Sequence, residues 1–413
     1  MRLCFLCQED IVRPQGGTGT YVRYISFGLA ARGHDIHVIT RQYNDAPAFE
    51  VVNAVSVYRV RAPGPPVLYS PWYYQQTRRK FLELNSLRPF AALHGNIPLM
   101  SSWGIQAKSL PPVIETVHCT VREELKALAY TSLRALNFNE LLVRQIAPLW
   151  LQFERSLLRR AQGVIAVSAG LKRELVTQQG YPAEKIIVIP NGIDYNRFAK
   201  RPSPEQGMVI RRSLGIAPDE RIILYLGRLM ERKRVIDLVK ALPTIQAHVP
   251  KVRLVIVGKR NHNATLIKET ARQLAQEARV TLVDHVPYQD VPDYYALAEV
   301  YALPSTYEGF PFTVLEAMAS GTPVVASDIP GIDEQIVPNE TGLLHPVGDI
   351  TAIAQAIIRV LENNELAKRL SVAAQKVVQE KYNWTVITAQ IEQVFEDAVS
   401  SAALRGRTLV ESS

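Results

Sequence analysis

The chain has 413 residues, 47% of them hydrophobic and 21% charged, with a formal net charge of +8, which excludes a disordered or collagen-like polymer and leaves room for two or three domains with real cores. Three cysteines cannot form a disulfide framework, no run reaches the ~18 apolar residues of a membrane span, and the few apolar residues after Met1 are too short for a signal peptide; a reducing, cytoplasmic setting is expected. Residues 1–190 hold 22 Lys and Arg against 13 Asp and Glu, the remainder 25 against 26, so the basic half could meet an anionic membrane face or a phosphate-bearing acceptor, whereas no nucleic-acid motif accompanies the charge.

The apolar run of residues 2–7 predicts a buried strand, in which Cys4 and Cys7 read as small core thiols rather than a metal or redox pair. A loop ending in Gly16-Gly17-Thr18-Gly19 leads into a helix carrying Tyr21, Ile25 and Leu29 that stops near Gly33, and Asp35 to Thr40 gives the next strand. The glycines lack the G-x-G-x-x-G spacing, so they are a weak nicotinamide fingerprint. Val51 to Val60 alternates as one strand, Tyr69 to Leu87 reads as a helix with Arg78, Arg79 and Lys80, and two strands are expected to end at His94 and His118, where α/β proteins place their sites. Residues 121–160 are largely helical; past Pro148, Leu149, Phe153 and Leu157 share one face and Arg155 and Arg159 another, a pattern suited to packing on a sheet or resting on a membrane. Ser168 suits a helix N-cap, and Pro190-Asn191-Gly192 is a turn between halves.

The β-α alternation then repeats. The strand Arg221–Leu226 runs into Gly227, Arg228 and Lys233 ahead of a helix near Val235, and two cations at that junction can neutralise a diphosphate. Leu254 to Val257 with Gly258 is a further strand and turn where a nucleotide could rest, and Val280 to Val283 is a strand followed by the loop His285-Val286-Pro287. Pro304 to Thr322 reads PSTYEGFPFTVLEAMASGT: after the short strand Val300 to Leu303, a turn with Gly309 and Pro311 delivers the chain to a helix start. Unpaired amides and a positive dipole end favour an anion there. Glu308 and Glu316 bracket it, roughly 12 Å apart if the stretch between them is helical, which is wider than a glycosidase pair.

Glu308, seven residues and Glu316, set in EGFP and EAMASGTPVV, resemble the E-x7-E signature of retaining GT-B glycosyltransferases of the family-4 type. The resemblance extends over about residues 1–385. It implies an α/β, GT-B fold, with two doubly wound Rossmann-like domains facing across a cleft: an acceptor-side domain at 1–192, a donor-binding domain at 193–385, and a C-terminal helix at 386–413 packing back on the first. It implies transfer of a sugar from a nucleoside diphosphate sugar to the hydroxyl of a glycan, lipid or small molecule, with retention and with domain closure assembling the site. No D-x-D pair is present to hold a divalent metal, and Arg228, Lys233 and the helix terminus at 309–313 can serve its electrostatic purpose, so neither metal nor other cofactor is expected. His118 and Glu308 would act on the donor sugar. Arg228, Lys233, Gly17 and the Gly309-Phe310-Pro311 turn would hold the diphosphate, Glu316, Gly258 and Val286 the ribose and base, and Gly16 the acceptor side. The chain departs from the family at Arg234, where Gly is usual, and at Asp333, where Pro is. A nucleotide-sugar epimerase and a non-catalytic sugar-nucleotide binding protein remain open beside the transferase.

Overall fold

The computed structural model describes the chain except residues 15, 44–45, 63–65, 98–101, 103–104, 106–110, 124, 126–137, 260–261 and 412–413, and at 66–70, 138–147 and 404–411 it describes backbone alone. The chain forms two compact units: Met1–Asn191 together with Trp384–Ser413, and Gly192–Asn383.

The first unit is built on an eight-stranded sheet of β1 (Arg2–Cys7), β2 (Asp35–Arg41), β3 (Phe49–Val52), β4 (Val55–Val60), β5 (Ala92–Ile97), β6 (Val113–Val117), β7 (Gly163–Ala166) and β8 (Ile186–Val188). Its spatial order is β3-β4-β2-β1-β5-β6-β7-β8, parallel throughout except where β3 pairs with β4. The single strand expected over Val51 to Val60 is thus a hairpin. Asn53 and Ala54 both take positive φ, 48° and 61°, the twist a two-residue hairpin turn demands, and Asn-Ala signals it less loudly than Asn-Gly. Helices α1 (Gly17–Ala31), α2 (Pro66–Leu87), α3 (Phe138–Arg160) and α4 (Ala169–Gln179) accompany the sheet. Ser168 caps α4 by accepting from the Leu171 amide at 3.1 Å. The apolar side of α3 buries Leu157 and packs Phe153 beside Val121, leaving Arg155, Arg159 and Arg160 exposed.

Cys4 and Cys7, three residues apart on a strand, point to opposite faces and are both buried and free. Among the described residues there is no cluster of His, Cys, Asp or Glu that could hold a metal ion, and no helix long and apolar enough to cross a membrane.

The second unit has the six-stranded, all-parallel order β11-β10-β9-β12-β13-β14, made of β9 (Arg221–Leu226), β10 (Val252–Val257), β11 (Val280–Val283), β12 (Val300–Leu303), β13 (Val324–Ser327) and β14 (Leu343–His345). Fully buried runs such as VYAL and VVAS suit a sheet covered on both faces. Helices α5 (Tyr195–Phe198), α6 (Pro204–Ser213), α7 (Val235–His248), α8 (His262–Gln273), α9 (Val291–Leu297), α10 (Phe312–Ala319), α11 (Ile350–Glu362) and α12 (Asn364–Lys381) complete it. The last helix, α13 (Trp384–Glu411), belongs to the first unit: Trp384 stacks on Tyr24 of α1 at 5.3 Å, Glu392 bonds Arg32 and His34, and Thr388 lies so close to Gly28 that a β-carbon there would sit 2.6 Å from its hydroxyl.

Both strand orders reverse direction once, between β1 and β5 in the first sheet and between β9 and β12 in the second. In doubly wound folds the loops leaving the carboxyl ends of two such strands diverge to opposite faces and open a crevice. Gly16 and Gly17 follow β1, Arg228 and Lys233 follow β9, and Glu308 follows β12, strands that flank these two points, while His118, Gly258 and Val286 follow β6, β10 and β11 farther along the sheets.

Candidate active site

At the second switch point, the loop after β9 and the loop after β12 are stitched together. The Thr306 amide donates to the Arg232 carbonyl at 2.8 Å, and the Arg232 guanidinium donates to the Tyr307 carbonyl at 3.0 Å. This docking brings the Lys233 ammonium into an ion pair with Glu308, whose Oε1 also accepts from the Ser305 hydroxyl at 2.7 Å. Burial by itself would raise the Glu308 carboxyl; Lys233, Arg232 and Ser305 more than reverse this and hold it below its ordinary value. Arg228 is exposed and its guanidinium has no partner among the described residues.

The helix that follows, α10, begins at Pro311 with no side-chain cap and no acidic residue in its first turn. The dipole at such a helix start favours an anion. Pro311 has no N–H, so it shapes the turn without donating, and Phe310 turns its ring inward, edge-on to Tyr382 at 5.5 Å. The turn is fixed from behind: Gln335 donates to the Pro311 carbonyl at 3.0 Å, and a β-carbon on Gly331 (φ +88°) would sit 2.3 Å from the Gly309 carbonyl oxygen. Gly258 is likewise required by packing, since a β-carbon there would lie 2.2 Å from the Gly227 carbonyl oxygen, and Val286 is buried.

Glu316, on α10, shares no partner with Glu308. Its Oε2 accepts from the Tyr295 hydroxyl at 2.8 Å, and burial pushes its carboxyl up to about 7 despite that bond and nearby Arg197. Arg234 accommodates the departure from Gly by adopting the left-handed conformation itself, φ 48° and ψ 34°, with its Nε 2.6 Å from the buried carboxylate of Asp237.

In the first unit, Gly16 and Gly17 open α1 close to Glu9, which the sequence reading did not single out. The Glu9 carboxylate accepts from the Gly19 amide at 2.7 Å, and a β-carbon on Gly16 would lie 2.5 Å from it. An acidic side chain therefore already serves this helix start. His94 does not end its strand as expected. β5 continues to Ile97, which leaves His94 fully buried between Phe5 at 4.9 Å and Tyr21 at 6.2 Å. His118 does follow β6 directly; its Nε2 lies 3.1 Å from Asn96 Oδ1 and Tyr21 packs edge-on at 4.7 Å. Asn96, Tyr295, Gln335 and Arg232 went unread because each looks like an ordinary residue of its segment; a polar side chain inside an apolar strand was the one available signal, for Asn96.

Two doubly wound α/β units with chemistry-bearing loops at their switch points define the GT-B class of glycosyltransferases, and the comparisons with known proteins agree. Residues 15–197 match the family described as Glycosyltransferase Family 4 and residues 208–377 that described as Glycosyl transferases group 1. An uncharacterized glycosyltransferase of Methanocaldococcus jannaschii is 30% identical over 403 residues, 97% of this chain and 99% of the relative. The sucrose-phosphate synthase of Thermosynechococcus elongatus superposes with a TM-score of 0.81 at 25% identity, covering 97% and 99% of the two chains. The Anabaena protein HepE in complex with UDP-glucose does so at 0.71 and 19%, covering 96% and 100%. The chain belongs to the family-4 glycosyltransferases, the group 1 type.

Proposed function

We propose that the protein transfers a sugar from a nucleoside diphosphate donor to an acceptor hydroxyl, with retention of anomeric configuration and without a metal ion. The observation that carries this reading is the convergence at the second switch point of the amino end of α10 with Arg228, Lys233 and Glu308. As the glycosidic bond breaks, the leaving diphosphate gains negative charge; cations and amides already aimed at it stabilise the transition state more than the ground state. These groups do the electrostatic work a divalent ion would do. HepE, crystallised with UDP-glucose, makes a uridine donor the first to try.

In this reading Glu308, bonded to Lys233 and Ser305, meets sugar hydroxyls and is not a nucleophile. Retention then follows from front-face attack, the acceptor oxygen bonding to the anomeric carbon while the departing phosphate oxygen takes its proton. Glu316, kept largely protonated by burial until near neutral pH, pairs with the ribose hydroxyls. His118 meets the donor sugar, and the acceptor is a glycan, a lipid-linked sugar or a small molecule.

The test is incubation with UDP-, GDP- and ADP-sugars, with and without simple sugar and lipid acceptors, in chelator. Nucleoside diphosphate release stimulated by an acceptor, with a product of the donor's anomeric configuration by proton NMR, is the expected result. Isomerised donor without acceptor would make the protein an epimerase, tight binding without turnover a sensor, and activity only on adding a divalent ion would remove the metal-independent reading.

A further inference from the structure

The face of the first sheet beneath α1 carries a ladder of polar groups of which the transfer reading uses His118 alone. Asn96 stands opposite Thr116 in the β5–β6 register. Because side chains alternate along a strand, His94 and Asn96 of β5 share this face with Thr116 of β6 and with His118 just beyond it. Thr116 Oγ1 bonds both His94 Nε2, at 2.9 Å, and the Tyr21 hydroxyl, at 3.0 Å, which settles the floor under His118.

Asn96 is fully buried, and its amide has one sensible orientation. Its Nδ2 donates to the Leu6 carbonyl at 3.1 Å, so the atom left facing His118 Nε2 is Oδ1. Turning the amide over would set two acceptor oxygens against each other. An amide oxygen only accepts, so Nε2 must carry the ring proton, and in a neutral imidazole Nδ1 is then a bare acceptor. The ring is only half-buried and Nδ1 has no partner among the described residues. Burial holds His118 down at about 3. The titratable groups around it, His94 and Tyr21, are themselves kept neutral by burial, and Cys119 adjoins it in the chain.

We propose that Asn96 is a positioning residue that fixes His118 in the Nε2–H tautomer, so that His118 recognises a sugar hydroxyl by accepting its proton at Nδ1 and never by donating to it. The inference rests on the reading of His118 as a group that meets the sugar of a nucleoside diphosphate donor. It sets a specificity: the recognised sugar position must carry a hydrogen-bond donor. A fluorine there, which can accept but not donate, is then as poor as a hydrogen.

The first measurement is made on the ligand-free full chain labelled with 15N-histidine, with His118 assigned by its disappearance in His118→Gln. Expected is the Nε2–H pattern; an Nδ1–H pattern, or a fast mixture of the two, would overturn the proposal whether or not the protein proves to be a transferase. Asn96→Ala is expected to give the mixture and to lower kcat/KM at least tenfold for whichever UDP-, GDP- or ADP-sugar the wild type turns over. An unchanged tautomer with unchanged kcat/KM would sink the idea. Asn96→Asp keeps an acceptor at Nε2 but stabilises the imidazolium, so its activity is expected to survive at high pH and to fall as pH drops through a new ionisation, where the wild type has none; a flat profile in that variant counts against the assignment. Among monodeoxy and monofluoro donors, a position at which both lose at least tenfold in the wild type and little further in Asn96→Ala is expected. A fluoro donor that retains activity at every position sensitive to deoxygenation would show that His118 donates.

Discussion

Replacing Lys233 by alanine separates the stability of the loop after β9 from its proposed chemistry. The pair it forms with Glu308 is largely dry, the two side chains being 13% and 6% exposed, and breaking a buried pair from one side costs about 3–5 kcal/mol because the surviving charge is left uncompensated. For a unit of this size each kcal/mol moves the midpoint by roughly 2–4 °C, so a fall of roughly 6–20 °C is expected at pH 7 in the transition of the second unit. The sign with pH is a sharper check. In the wild type Glu308 is held below its unfolded value, so its contribution is present above the unfolded carboxyl range, near pH 4.3, and disappears as pH falls through the folded value. Without Lys233 the Glu308 carboxyl loses the largest of the partners that oppose its burial and rises from its wild-type value, so the variant's deficit should be largest at neutral pH and shrink towards pH 4. The double variant Lys233→Ala/Glu308→Gln should recover much of the lost stability, since neither member of the pair leaves a stranded charge, while diphosphate affinity, measured by calorimetry with UDP, GDP and ADP, stays at least tenfold down. Scanning calorimetry across pH 4–8 decides the stability argument. A deficit that does not change with pH, or a double variant no more stable than Lys233→Ala, would show that Glu308 is not the charge left stranded, and wild-type nucleotide affinity would remove Lys233 from the diphosphate site.

Glu316, with its carboxyl raised to about 7, makes the folded state bind a proton that the unfolded chain releases near pH 4.3, so it subtracts stability progressively as pH rises from about 4.3 to 7. Glu316→Gln should therefore flatten the stability curve over that window in thermal melts while weakening nucleotide binding; unchanged affinity would detach it from the ribose. Arg234→Gly relieves about 1–2 kcal/mol of left-handed strain but strands the Asp237 carboxylate, and we expect a net loss of roughly 1–3 kcal/mol in denaturant unfolding, reversed by adding Asp237→Asn. A single variant more stable than the wild type would show that the ion pair contributes nothing. Gly331→Ala places a β-carbon 2.3 Å from the Gly309 carbonyl oxygen at a φ of +88°, so it should shift the Glu308–Gly309 backbone and cut transfer at least tenfold; wild-type kinetics would mean that the turn is not held from behind.

The sequence sufficed where the information is local. Apolar runs bounded by turn residues gave β1, β9, β11 and β12, Ser168 announced its helix, and Glu308, Glu316, Arg228 and Lys233 stood in patterns whose spacing carries chemical meaning. What escaped it was set by contacts between distant segments. That Lys233 reaches Glu308 across 75 residues, that Glu9 folds back onto the start of α1, that Gly331 presses on Gly309, and that Asn96 dictates the tautomer of His118 all depend on which strands become neighbours. A residue's type fixes which bonds it can make. Only the packed sheet, by placing the carboxyl ends of β9 and β12 and of β5 and β6 side by side, decides which partner it meets and how much water is left between them, and it is that loss of water that gives a carboxylate or an imidazole its protonation state.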